Sequence, residues 1–209
     1  MLDASFCQGN TPTSLFHDMI RSLSQQTKNA RPTAFHHLLE ALPQDGRLLR
    51  LYSYNVDDIN TDLQPLKTVV SLPKKPPWRK TIQLHGSLDH MVCSKCHMVS
   101  NFDADQLHHE WRCARQRAGK RSHCVGRLRP RMVLYNEHNP DDEAIGSCTT
   151  LDLRVSPNTV IVAVKGRHNG VRLGINNDPP PKVHSLSGCW DLVVKGPCDE
   201  IACGAAVPH

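Results

Sequence analysis

Aromatic side chains are scarce in this chain of 209 residues, at 5%. The longest apolar run, Val160–Val164, is far too short to span a bilayer. The opening stretch MLDASFCQGN shows no basic n-region and no apolar h-region, so a secretory leader is not expected. Between Arg112 and Arg131 there is no acidic residue, and no aromatic is interleaved that could stack on bases. No internal repeat is visible, and the one Cys-x-x-Cys has no second copy downstream. The chain does carry 39% hydrophobic and 22% charged residues, the balance of a globular protein on the polar side. Its formal charge of +5 is mildly basic, compatible with an acidic or nucleic-acid-bearing environment. Fifteen prolines imply many extended connections. With no export signal a reducing compartment is expected, so the nine cysteines read as metal ligands or free thiols.

Leu15, Met19, Ile20 and Leu23 recur at helical spacing, with Thr13 or Ser14 as N-cap. Pro32 opens a second helix carrying Phe35, Leu38, Leu39 and Leu42, ended by Pro43 and Gly46. Strands are expected at Leu48–Tyr54, Thr81–Leu84, Met132–Tyr135, Thr159–Val164, Val171–Ile175 and Trp190–Val194, with a helix at Asp141–Leu153. Pro73–Lys80 is a basic, proline-rich loop. Apolar strands alternating with helices and polar loops point to an α/β layer with a mainly parallel sheet. In such sheets ligands gather at the carboxyl ends of strands. Cys148, Cys189 and Cys203 read as ordinary thiols, Trp190 as core and Trp78 as a loop anchor.

The most informative stretch is Leu84–Cys96, LHGSLDHMVCSKC. A short apolar strand delivers His85, and Gly86 after it suggests a turn that needs positive φ or close backbone approach. Histidine is the side chain whose ordinary pKa lies nearest neutrality, so one at a strand end can serve as a general base. Cys93 and Cys96 form a knuckle, and Cys113 and Cys124 follow. Zinc prefers four soft tetrahedral ligands, so Cys93, Cys96, Cys113 and Cys124 are the expected set, with His123 as a substitute for the last, or else the site is open. The insert has few large apolar residues (Phe102, Leu107, Trp111) and can hardly fold without the ion. The basic run Arg112, Arg115, Arg117, Lys120, Arg121, Arg127, Arg129 and Arg131 can hold phosphates, but a solvated loop is favoured.

With these residues read, the chain resembles the sirtuins, the NAD-dependent protein-lysine deacylases, and among them the fungal nuclear histone-deacetylase branch. Ser53-Tyr54-Asn55-Val56-Asp57 matches the family's Thr-Gln-Asn-Ile/Val-Asp motif, and His85-Gly86 its catalytic His-Gly. GKRSHCVGRLRPRMVLYNEHNPDDEAIG resembles the passage from the zinc insert into the substrate strand. INNDPPP and CWDLVVKGPCDE resemble the strand ends that hold adenosine.

The resemblance implies an incomplete Rossmann-like, mainly parallel sheet with a small zinc-binding insert. Residues 1–85 would be the first part of the catalytic domain, 86–130 the zinc module and 131–209 the rest of the NAD-binding domain. It implies that Asn55 and Asp57 hold the nicotinamide carboxamide, with Tyr54 in place of a glutamine that reaches the ribose. His85 would deprotonate a ribose hydroxyl. Asn176, Gly196 and Cys198 would receive the adenosine, and Val133, Leu134 and Tyr135 would pair with an extended substrate peptide by strand addition. The implied cofactors are NAD and zinc. The implied partners are an acetylated histone or other acyl-lysine protein and chromatin, in the nucleus and away from membranes.

The family's first strand and Gly-Ala-Gly-x-Ser phosphate loop are not in this sequence; they would precede residue 1. Val164–Gly170 stands in place of a second glycine-threonine-serine motif, and the helix expected after it is missing. Two further readings follow. One is a shortened, inactive relative acting as a zinc-containing protein- or chromatin-binding module. The other, carried by the basic run, is a zinc-ribbon nucleic-acid binder.

Overall fold

Phe16, Ile20 and Ser24 stand four residues apart and are all buried, and this stripe explains the first helix, α1 (Asn10–Asn29). Leu15, expected on the same face, is 70% exposed, so the apolar stripe runs through Phe16 instead. The structure is a computed structural model and describes residues 10–102, 113, 124–155, 162–164, 173–176 and 192–205. It divides into two compact units. The first is Met1–Ala30, Ser53–Asp58 and Gln83–Asp142; the second is Arg31–Tyr52, Ile59–Ile82 and Glu143–His209. Cys189, Trp190, His123 and five of the basic run (Arg112, Arg115, Arg117, Lys120, Arg121) lie outside the described residues.

In the first unit α1 packs on an antiparallel sheet of β3 (Gly86–Cys93), β4 (Val99–Asn101) and β5 (Leu128–Met132), in the order β4-β3-β5. Phe16, Ile20, Leu88, Met91, Phe102 and Leu134 form its core. Each such side chain stabilises the fold by roughly 1.5–3 kcal/mol on full burial. Lys28 in the last turn of α1 lies 5.8 Å from the centre of the Phe102 ring, a cation–π contact.

His17 sits beside this core. Its pKa is lowered to about 4, first by burial and then by Arg21, against the opposing pull of Asp18. Between its ordinary value of 6.5 and 4 the unfolded chain takes up a proton that the folded chain refuses. Stability therefore falls as pH falls through that window. We expect His17→Gln to flatten the pH dependence of the thermal midpoint between about pH 6.5 and 4 and to leave it unchanged at pH 8. A midpoint profile that the substitution does not alter refutes this.

The second unit holds α2 (Ala34–Gln44), the short helix α3 (Ile59–Asp62), the sheet β2-β1-β6, the pair β7-β8 and the helices α4 and α5. Here β1 is Leu48–Ser53, β2 Thr81–Gln83, β6 Val162–Val164, β7 Leu173–Asn176 and β8 Leu192–Lys195; α4 is Asp142–Val155 and α5 Cys198–Ala205. The N-cap of α2 is Thr33, so Pro32 precedes the helix rather than opening its first turn, and the Thr33 N–H donates to His36 Nδ1 at 3.1 Å. Its C-terminus closes in a Schellman motif: Arg47 N–H to Leu42 O at 2.8 Å, Gly46 N–H to Pro43 O at 3.2 Å. Gly46, at φ +67, supplies the left-handed residue that this motif needs. Leu39, Leu42, Leu48, Leu51 and Leu66 form the core of this unit. Helix α5 was not expected from the sequence. Its Asp199 accepts the Phe35 N–H of α2 at 2.9 Å, serving one of the open donors at that helix start. Hydrogen bonds from Thr33 and the Phe35 N–H hold that carboxyl below its usual range.

The result is an α/β fold. Strands β7 and β8 pair in parallel, as expected, whereas β6 meets β1 antiparallel. An antiparallel neighbour needs no right-handed crossover of a dozen residues, which a parallel one does. Among the described residues no helix is long and apolar enough to cross a membrane.

Candidate active site and metal centre

His85 sits in the short step between β2 and β3, after Leu84, half-buried in the first unit. Gly86 is at φ +78, and a Cβ there would overlap the Arg131 carbonyl oxygen, with Arg131 C at 3.0 Å and Met132 Cα at 3.1 Å. Only glycine lets β3 leave His85 so close to β5. The turn is tied on both sides by backbone: Leu84 N–H donates to Ser53 O at 2.8 Å and Leu88 N–H to Val56 O at 2.9 Å. These two bonds lay the loop Ser53–Val56 along the turn that carries His85. Gly86→Ala combines a left-handed φ with a backbone collision, so it should cost about 2–4 kcal/mol. We expect a thermal midpoint lower by about 4–16 °C. A shift under about one degree refutes the strain.

The loop brings Tyr54 and His85 together, their ring centres 4.9 Å apart and tilted by 44°. Tyr54, 58% exposed, therefore lies on the imidazole. Asn55, also exposed, follows directly, with its N–H donating to Ser53 Oγ at 3.1 Å. Asp57 is half-buried on the same loop. Sequence reasoning missed the next residue. Asp58, buried and at φ +61, accepts Gln83 Nε2 on one oxygen and Ser87 Oγ on the other, both at 2.6 Å. The signal available was an acid directly after the Asn-Val-Asp triplet and a serine directly after the His-Gly pair.

The loop after β5 is set by charge. Arg129 forks onto Glu137, with Nη1 to Oε2 at 2.8 Å, and Arg131 Nη2 donates to Asp141 Oδ2 at 2.7 Å. These two members of the basic run are partnered by carboxylates; Arg131 is buried. Glu137 Oε2 also accepts the Leu134 N–H at 3.1 Å, and Asn136 takes φ +62. This turn ends the strand at Met132 rather than at Tyr135. Of the three expected peptide-pairing residues, Val133 gives its N–H to His85 O at 2.9 Å, Leu134 is in the core, and Tyr135 is exposed. Asn139 completes the frame by donating Nδ2 to Leu84 O at 2.9 Å.

At the far end of β3 the four expected thiols come together. The sulfurs of Cys93, Cys96, Cys113 and Cys124 all lie within 4.8 Å of one another, with Cys93–Cys124 and Cys96–Cys113 each at 3.7 Å. Four sulfurs bound at about 2.3 Å to one tetrahedral ion lie about 3.8 Å apart, so the donor set fits zinc. The Lys95 and Cys96 N–H groups point at Cys93 Sγ, at 3.4 and 3.5 Å, as in a metal knuckle. The Cys96 thiol is lowered to about 6, chiefly by a hydrogen bond from the Met98 backbone, which favours the thiolate a metal needs. Gly126 passes so close that a Cβ there would run into Cys93 Sγ. Cys124 is thus the fourth thiol of the cluster.

Residues 4–163 match the model of the Sir2 family. The chain belongs to the Sir2 family. It is 42% identical to the NAD-dependent protein deacetylase hst4 of Emericella nidulans, over 97% of this chain and 39% of that one. It is 35% identical to the NAD-dependent histone deacetylase HST4 of Saccharomyces cerevisiae, over 96% of this chain and 64% of that one. The chain thus spans about two-fifths to two-thirds of the length of these relatives. Among solved structures, a Sir2 bound to acetylated peptide superposes with a TM-score of 0.65 at 18% identity, over 97% of this chain and 80% of that one. A Sir2 homologue in complex with 2'-O-acetyl ADP ribose does so at 0.65 and 20%, over 94% and 73%. At such identities the likeness establishes the fold.

In this Sir2-family chain the three residues expected near adenosine belong to the second unit. Asn176 ends β7 and pairs with Lys195, Gly196 follows β8, and Cys198 begins α5. All three therefore stand at the carboxyl ends of the two parallel strands.

Proposed function

We propose that this chain is the catalytic part of an NAD-dependent protein-lysine deacetylase acting on acetylated histones in the nucleus. The observation that supports this most is the His85 turn, hydrogen-bonded along the Tyr54-Asn55-Val56-Asp57 loop with Tyr54 against the imidazole. NAD, when bound, supplies the ribose carbon from which nicotinamide leaves and to which the acyl oxygen adds. In this reading Asn55 and Asp57 hold the nicotinamide carboxamide with short polar side chains, and Tyr54 lies toward the ribose. His85 takes the proton of a ribose hydroxyl. Asn176 and the Gly196–Cys198 backbone receive the adenosine. The backbone of Val133–Tyr135 pairs with the acyl-lysine peptide through groups other than the Val133 and Leu134 N–H, already bonded to His85 O and Glu137 Oε2, while the Leu134 side chain stays in the core.

We assign 86–130 to a zinc module that holds β3, and with it one flank of the His85 turn. Residues 1–85 and 131–209 supply the NAD-binding domain. Chromatin is the proposed setting, which suits the basic charge; direct nucleic-acid contact would fall to the basic run, of which Arg129 and Arg131 are held by carboxylates.

The test is release of nicotinamide from NAD by the zinc-loaded full chain with an acetyl-lysine histone peptide. We expect turnover that requires the acetyl group and that falls by about 10²–10⁴-fold in His85→Ala. Peptide binding without turnover would instead assign the chain to the non-catalytic module. DNA binding that weakens steeply with salt and survives His85→Ala would favour the nucleic-acid binder.

A further inference from the structure

We propose that Asp58 is a positioning residue for His85, its buried carboxylate locking the His85–Gly86 turn to the Asn55–Asp57 loop. This rests on the reading of His85 as the base.

Asp58 directly follows the residues proposed to hold nicotinamide, and it is 6% exposed. Its two oxygens reach both flanks of the turn. Oδ1 accepts Gln83 Nε2 at 2.6 Å, two residues before His85; Oδ2 accepts Ser87 Oγ at 2.6 Å, two residues after it, and the Asp89 N–H at 3.3 Å. Ser87 is fully buried and spends its one proton on Asp58. At His90 Nδ1, 3.1 Å away, and at the Asp89 N–H, 3.0 Å away, Ser87 Oγ must therefore accept. A chain of polar bonds thus runs from His90 through Ser87 to Asp58 and on to Gln83. A buried carboxylate is tolerated only when donors surround it, and here the donors bracket one histidine. The left-handed φ of +61 is a conformation that aspartate adopts more readily than most residues.

Charge is essential to this arrangement, since both oxygens must accept. Asparagine has the same shape but presents an NH2 group on one side, so either Ser87 loses its acceptor or the Gln83 amide must turn over, and one flank of the turn shifts. A displacement of about 1 Å at a reacting group can cost about 10²-fold in rate without changing substrate affinity.

The zinc-loaded full chain is compared with Asp58→Asn, Ser87→Ala and Asp152→Asn. The ring signal of His85 is followed by nitrogen-proton correlation spectroscopy and identified by its loss in His85→Ala. We expect Asp58→Asn and Ser87→Ala to move that signal, and Asp152→Asn, in the second unit, to lower the thermal midpoint without moving it. In turnover, Asp58→Asn should lower kcat by about 10²-fold, leave the peptide KM within about twofold, and add little on the His85→Ala background. A folded Asp58→Asn whose His85 signal and kcat match the parent overturns the proposal, as do effects that merely follow the thermal midpoint. Should Asp58→Asn not fold, Ser87→Ala decides by the same two readouts. A parent chain without turnover sinks the assignment of His85 as base but not the spectroscopic arm, which then decides alone.

Discussion

Removal of the metal by a chelator should unfold the zinc module and cost the chain on the order of 10 kcal/mol. Around the four cysteines little else holds the chain: the described apolar contacts there are Met98 and Leu128, while Leu88, Met91 and Phe102 of the module belong to the core packed with α1. Without the cation nothing bonds the four sulfurs to one another, so the cluster opens once the ion leaves. The damage should also spread. β3 begins at Gly86, beside His85, and ends at Cys93, and β5 runs along it from Cys93↔Leu128 to Gly86↔Met132. Loss of one end therefore frees the other, and turnover should disappear together with metal. Metal content by atomic spectroscopy should be one zinc per chain, falling in Cys93→Ser and unchanged in Cys148→Ser, a buried thiol outside the cluster. A chain that binds no metal, or whose thermal midpoint ignores the chelator, rules this out.

Asp152→Ala should cost about 3–5 kcal/mol, because it leaves Arg50 charged and without its partner in the interior. The Arg50 and Asp152 side chains are only 11% and 7% exposed. Their pairing is bidentate, Nε to Oδ2 at 3.0 Å and Nη2 to Oδ1 at 3.1 Å, and the Tyr52 hydroxyl donates to Oδ2 at 2.6 Å. Burial, and then this bond, push the Tyr52 phenol well above its usual range, so it remains a donor. Arg50 Nη1 also donates to the carbonyls of Trp78 and Arg79, at 3.1 and 2.6 Å, and so pins the proline-rich loop beside β1. In a chain of this size the thermal midpoint should fall by about 6–20 °C. The double variant Arg50→Met/Asp152→Leu should lose much less, since no charge is then stranded. Chemical denaturation of the single and double variants gives the comparison. A single-variant loss within the range of a surface pair, about 1 kcal/mol or less, would show that water still reaches Arg50.

These two clusters differ in how far the chain announces them. The four cysteines were legible because metal chemistry demands thiols in a small set of spacings, and the structure brings their four sulfurs together. The Arg50 network was not legible. Its acid lies 102 residues away on α4, inside an ordinary helical stretch. The same holds for Asp199, whose partner Phe35 is 164 residues away. Glu137 is near Arg129 in sequence, yet that pairing removed a strand end expected at Tyr135 and sent Leu134 into the core. For α1 the helical period and most of the buried face were readable, since Met19, Ile20 and Leu23 pack on the core, but Phe16 takes the place expected of Leu15.

What the sequence alone determined is therefore local: the two helices with their periods, the glycine that only a tight turn tolerates, the thiol knuckle, and the motif that marks the Sir2 family. Such features act over a few residues, where geometry follows from bond lengths and spacing. The tertiary structure decided which carboxylate meets which donor, and so why Asp58 rather than a neighbour holds the His85 turn. A buried charge has to be satisfied by whatever the fold brings beside it, and no spacing rule along the chain encodes that.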